Sequence, residues 1–130
     1  MERPEHYQSD VWLFFDGHPE ERVLYEALFD RMEQLFPDAR VKVQKSQISF
    51  YNRHLFAAVS LPVRRKKDWP ERCILVTFGL ERRLESHRIA VAVEPYPNRW
   101  THHVVVARME DLDRELMGWL NEASEFARNK

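Results

Sequence analysis

Two apolar, β-branched runs, residues 89–93 and 100–106, flank a proline-containing segment, 94–99. Branching at Cβ restricts side-chain rotamers less in an extended chain than in a helix, so both runs favour strands. A short turn between them makes an antiparallel hairpin. The second run leads into Leu112, Leu116, Trp119, Leu120, Ala123 and Ala127, which share one face at helical spacing. The hairpin is expected in the middle of a sheet, with this helix as its cover.

The other elements follow from spacing and punctuation. Asp16-Gly17-His18-Pro19 marks a helix start, because proline suits the first turn and Glu20 and Glu21 suit the positive end of the helix dipole. Leu24, Leu28, Met32 and Leu35 carry its apolar stripe, widened by Val23, Ala27, Phe29 and Phe36, and Pro37 stops it. Residues 41–45 and 47–51 alternate and form one strand or two short ones. Residues 55–61 and 73–80 are further strands, separated by a charged loop, 64–72. Residues 1–10 are polar and expected to be loose, and 11–15 are too short a patch to classify. Connections this short exclude most parallel crossovers. The expectation is a single α+β domain over residues 1–130. It is two-layered, in the order helix, five-stranded mostly antiparallel sheet, helix, with both helices on one face.

The 130 residues include 20 basic and 21 acidic side chains, for a net charge of −1. That balance argues against generic polyanion binding, so nucleic acid is not an expected partner, although one small anion pocket is compatible with it. A single cysteine, Cys73, excludes an internal disulfide and any cysteine-based metal motif. No run approaches the roughly 20 apolar residues that span a bilayer, and the N-terminus has no leader-like pattern. A cytoplasmic protein with no membrane partner is expected.

Strand alternation separates two sheet surfaces. Ile48 and Phe50 oppose Lys45, Gln47, Ser49 and Tyr51. Trp100, Val104 and Val106 oppose Arg99, Thr101, His103 and Val105. Ile89, Val91 and Val93 oppose Arg88, Ala90, Ala92 and Glu94. The second set of each strand defines a surface away from the helices, with Ala90 and Ala92 leaving room above them. Cationic and hydroxyl groups around small residues suit a carboxylate or phosphate. The candidate ligand-binding residues are therefore Lys45, Ser49, Tyr51, Arg88, Arg99 and His103. The alternatives for the same surface are a plain solvated face and a homodimer or other protein interface.

Other chemistry finds little footing. His102 and His103 are adjacent on a strand and point to opposite faces, so they do not share a metal, and none is expected. His102 is expected to pack near Trp100, and His103 to be the functional candidate because histidine changes charge near neutral pH. No serine sits in a glycine-rich elbow, and Gly17, Gly79 and Gly118 make no phosphate-cradling loop. No cofactor is implied, and enzymatic activity is left open without a nucleophile to carry it. Arg64-Arg65-Lys66-Lys67, beside Trp69, reads as a solvated loop, with a nucleic-acid contact as its sharper alternative.

The chain also resembles a known family through a series of segments. These are Val43-x-x-x-Gln47-Ile48-x-Phe50, Phe56-Ala57-x-Val59, Arg99-x-x-His102-His103-Val104-Val105-Val106 and Asp111-Leu112-Asp113-Arg114-Glu115-Leu116-x-x-Trp119-Leu120-x-Glu122-Ala123. It is similar from about residue 24 to 126 to a bacterial domain family of unknown function. That family occurs alone and as the C-terminal part of larger proteins labelled predicted transport proteins. The resemblance implies an α+β domain and brings no activity, cofactor or site residue. The resulting expectation is a binding module for a small anionic ligand, or for an acidic group on a partner; the alternative is an interaction or homodimerisation domain using the same surface.

Overall fold

The computed structural model describes residues 1–64 and 66–130. Two helices, α1 (Tyr7–Phe14) and α2 (Pro19–Leu35), precede a six-stranded sheet, and a third, α3 (Arg114–Arg128), follows it. The strands are β1 (Arg40–Val43), β2 (Ile48–Tyr51), β3 (Leu55–Ser60), β4 (Ile74–Leu80), β5 (Ile89–Tyr96) and β6 (Arg99–Val106), arranged β1-β2-β3-β4-β6-β5 with every pairing antiparallel. The α+β class and antiparallel sheet follow the sequence; the strand number does not. Six strands stand where five were expected, because 41–51 is a hairpin closed by Gln44 N–H donating to the Gln47 carbonyl at 2.9 Å.

The terminal hairpin also sits differently. β5 is the sheet edge and β6 lies between it and β4, so the hairpin is not central. Pro95 explains the placement: it has no N–H to give a further neighbour, and such residues belong on edges. Tyr96 pairs with Arg99, leaving Pro97 and Asn98 as the turn, and Asn98 takes φ 63°, a left-handed conformation asparagine tolerates.

α2 begins at Pro19, with Glu20 and Glu21 in its first turn. Its apolar stripe is narrower than expected, since Val23 and Leu35 are exposed and Leu24, Leu28, Phe29 and Met32 are buried. α3 begins at Arg114 because Asp113 caps it, its Oδ1 accepting from Leu116 N–H at 3.0 Å. The N-terminal residues expected to be loose are held. Glu2 bridges to Arg40 in parallel fashion, and Tyr7 is buried at the start of α1. The Tyr7 and Tyr25 hydroxyls lie 2.6 Å apart in the core, and burial pushes Tyr7 up to about 12.

Val41, Ile48, Phe50, Val59, Val76, Phe78 and Val104 join residues of all three helices in one hydrophobic cluster. Ile48 pairs with Val59, Val59 with Val76, and Val76 with Val104, so one side of each strand enters that core. The alternate row, Ser49–Ala58–Thr77–His103, turns to the other side.

Candidate functional site

On that other side a groove of about 130 Å³ lies over β3, β4 and β6. Its lining includes the small residues Ala57, Ala58 and Gly79, with Gln47, Leu55, Thr77, Thr101 and Arg99 around them. Gly79 pairs with Thr101, and a Cβ at Gly79 would come within 3.2 Å of the Arg99 guanidinium. Glycine thus admits the arginine, which crosses the strand at this point. The Arg99 guanidinium carbon lies 5.8 Å from the Tyr96 ring centre and 6.0 Å from that of Phe126. Among the described residues Arg99 makes no ion pair, and no carboxylate lines the groove.

Across the six strands this face is cationic, with Glu2 beside Arg40 at the β1 edge as its acid. Register places Arg40, Lys42, Ser49, Tyr51, Thr77, Arg99, Thr101 and His103 on it, with Leu55, Ala58, Leu75, Val91, Val93 and Val105. A chain of net charge −1 therefore shows one sheet surface whose charged strand residues at these positions, Arg40, Lys42 and Arg99, are cationic, with Glu2 at its β1 edge.

The six sequence candidates separate accordingly. Arg99 lines the groove. His103 neighbours it through Thr77, whose Oγ1 lies 2.9 Å from His103 Nδ1; burial lowers the His103 pKa below its ordinary value. Ser49 is on this face but fully buried, donating to Gln44 Oε1 at 2.6 Å and accepting from Gln47 Nε2 at 2.8 Å. Its hydroxyl is spent on shaping the β1–β2 turn and on holding Gln47 at the groove. Tyr51 is two strands from β4, flanked by Arg40 and Lys42 at 5.6 and 5.1 Å from its ring centre, and lines no part of the groove.

Lys45 and Arg88 are elsewhere. Lys45 borders a different hollow, about 410 Å³, with Asp10, Leu13 and Phe14 of α1. Arg88 reaches α3: it donates to Asp113 Oδ1 at 2.7 Å, Glu115 Oε1 at 3.1 Å and the Asp111 carbonyl at 2.7 Å, and lies over Trp119. The strand after Arg88 carries a bulge. Ile89 pairs with Val104 and Val91 with His103, so Ala90 is the extra residue and strict alternation fails. Val91 and Val93 consequently join the groove face, and Ala92 pairs with His102 on the core side. Ala90 does line a hollow, shared with Arg88, whereas Ala92 is on the core side and a separate groove lies above Ala58 and Gly79. Sequence reasoning put Gln47 and Thr101 on this surface without giving them a role, and missed Thr77. A threonine in an apolar strand, opposite a histidine, was the available signal.

His102 turns away from His103, as strand alternation requires. It stacks on Phe78 with ring centres 5.3 Å apart, rather than on Trp100, and its Nε2 accepts from Leu84 N–H at 3.0 Å. Its buried Nδ1 points toward the Phe78 backbone without a hydrogen bond of good geometry, and burial holds the ring neutral by lowering its pKa. A third hollow, about 520 Å³, lies under Trp69 and mixes Lys66, His87 and Arg88 with Asp68 and Asp111, so it offers an anion no net attraction. The Arg64–Lys67 run includes Arg65, which is outside the described residues. No helix among the described residues is long and apolar enough to cross a membrane.

No curated protein and no solved structure matches the chain. One family does, across residues 14–127, a span that contains all six strands, α2 and nearly all of α3. The chain belongs to the domain family of unknown function DUF5655.

Proposed function

We propose that the protein is a small-anion binding module whose site is the groove over Ala58 and Gly79. In this reading residues 1–130 are one cytoplasmic two-layer domain, with the helices over one sheet face and the other left to the ligand. Arg99 supplies the charge and a two-pronged donor that matches a carboxylate, sulfate or phosphate. Thr77, Thr101 and Gln47 supply neutral hydrogen bonds. The observation that carries the reading is an arginine without an ion pair beside a hollow with no carboxylate in its lining. The volume, about 130 Å³, is that of roughly four waters of liquid, enough for the head of a ligand and not its whole body. Bacterial origin, and occurrence at the C-terminus of predicted transport proteins, belong to this proposal too and do not decide what the groove holds.

The test is thermal unfolding against acetate, sulfate and phosphate, for the wild type and Arg99→Ala. An anion at 100 times its dissociation constant adds about 2.7 kcal/mol, a rise on the order of 10 °C for a domain of this size. The proposal expects that rise in the wild type and its loss in the variant. Equal shifts in both proteins, or none in either, reject the groove.

A second reading has its own observation. Val93 and Tyr96 are 51% and 56% exposed beside the groove, more apolar surface than a solvated sheet edge needs. A second copy of this chain would cover them, and sedimentation of the purified protein would then show a dimer that a charged substitution at Val93 dissolves.

A further inference from the structure

The Thr77–His103 pair carries a consequence for the groove in which we propose the anion sits. Thr77 has one hydroxyl proton, and its oxygen lies 2.9 Å from His103 Nδ1. A neutral imidazole has one donor and one acceptor nitrogen, whereas the protonated ring has two donors. With the neutral ring's proton on Nε2, Nδ1 takes the threonine proton, and Thr77 shows the groove only lone pairs, which repel an anion. Once the ring is protonated, Nδ1–H must donate to Thr77 Oγ1. The hydroxyl proton is then released and becomes a donor toward the groove, beside Arg99.

We infer that Thr77 and His103 form a proton-linked gate, so that the groove takes up its anion together with a proton on His103. The surroundings leave this histidine in control. On the groove face its neighbours are Leu75, Thr77 and Gly79 of β4, Ala58 of β3, Val91 and Val93 of β5, and Arg99, Thr101 and Val105 of its own strand. Arg99 is the one charged residue among them. The next charged side chains, Lys66, Asp68, His87, Arg88 and Asp111, border the hollow beyond Val105. The half-buried position favours the neutral ring when the groove is empty, and a bound anion offsets it. The linkage is reciprocal: the anion must raise the His103 pKa by the factor through which the proton tightens the anion.

Sulfate is the probe, since its charge does not change between pH 5.5 and 8. Its affinity is measured across that range by NMR titration of the wild type, Thr77→Val and Thr77→Ser, with the His103 ring pKa followed in the same samples. The gate expects binding several-fold tighter at pH 5.5 than at pH 8 and a His103 pKa raised by about one unit when sulfate is present. Thr77→Val should bind at every pH with the weak affinity of the wild type at pH 8, and Thr77→Ser should restore the pH dependence. If Thr77→Val keeps the full pH dependence, plain attraction to the imidazolium explains it and the gate is wrong. Sulfate binding that is lost in Arg99→Ala but flat with pH rejects the gate and keeps the groove. No sulfate binding at any pH rejects the groove itself.

Discussion

Several single side chains decide this structure through hydrogen bonds that have no spare partner. The Tyr7 and Tyr25 hydroxyls are the clearest case, 2.6 Å apart with both residues buried. Tyr7→Phe strands the Tyr25 hydroxyl and should cost about 1–3 kcal/mol of unfolding free energy. The double change Tyr7→Phe, Tyr25→Phe removes both polar groups and should cost less than the single one. Urea unfolding of the three proteins checks it, and a strictly additive double variant would contradict the pairing. His102 and His103 give a pH prediction of definite sign. Burial lowers both pKa values below the ordinary 6.5, so at moderately acid pH the unfolded chain binds more protons than the folded one. The stability they contribute is present above pH 6.5 and lost as pH falls from there toward the folded values. The urea midpoint should therefore drop between pH 7 and pH 5. His102→Gln, which can still accept from Leu84 N–H, should flatten part of that drop.

At the scale of elements, one arginine ties the edge of the sheet to a helix start. The Arg88 side chain is 14% exposed and bonds Asp113, Glu115 and the Asp111 carbonyl. Arg88→Ala should cost about 1–3 kcal/mol, as expected for loss of charged hydrogen bonds at a mostly buried site. Arg88→Met, which keeps the stem against Trp119, should recover the packing part of that loss. Asp113→Ala removes the α3 cap and should cost about 1 kcal/mol, whereas Asp113→Asn can still cap and should cost less. The same scale shows what was legible. Pro19, Glu20 and Glu21 announced α2 and the Leu112–Ala127 stripe announced α3, because periodicity is local, although Asp113 as its cap was not singled out. α1 was not legible: eight residues with a polar start earn their helix from burying Tyr7 and Val11, which only tertiary structure reveals. The β5 bulge was not legible either. One extra residue at Ala90 reverses the assignments of Val91, Ala92 and Val93, which moved Ala92 off the expected surface. Ser49 read as a ligand contact because it alternates outward; its burial comes from Gln44 and Gln47 in the turn before it.

For the whole molecule, the distribution of charge matters more than its sum. A net charge of −1 made a polyanion surface improbable and hid a sheet face on which the charged residues of the strands, Arg40, Lys42 and Arg99, are cationic and Glu2 lies at the β1 edge. Five acidic side chains sit instead at helix starts, Glu20 and Glu21 on α2 and Asp111, Asp113 and Glu115 around α3, where they cap, favour the dipole and hold Arg88. The groove is the point on the cationic face where small residues make a hollow and an arginine without an ion pair borders it. Backbone amide shifts of isotope-labelled protein, followed while sulfate or acetate is added, test that claim most directly. The account predicts saturable shifts confined to Ala58, Thr77, Gly79, Arg99 and Thr101 and their strand neighbours, absent in Arg99→Ala. Shifts centred on Trp69 or on Lys45, or weak changes spread evenly over the surface, would contradict it.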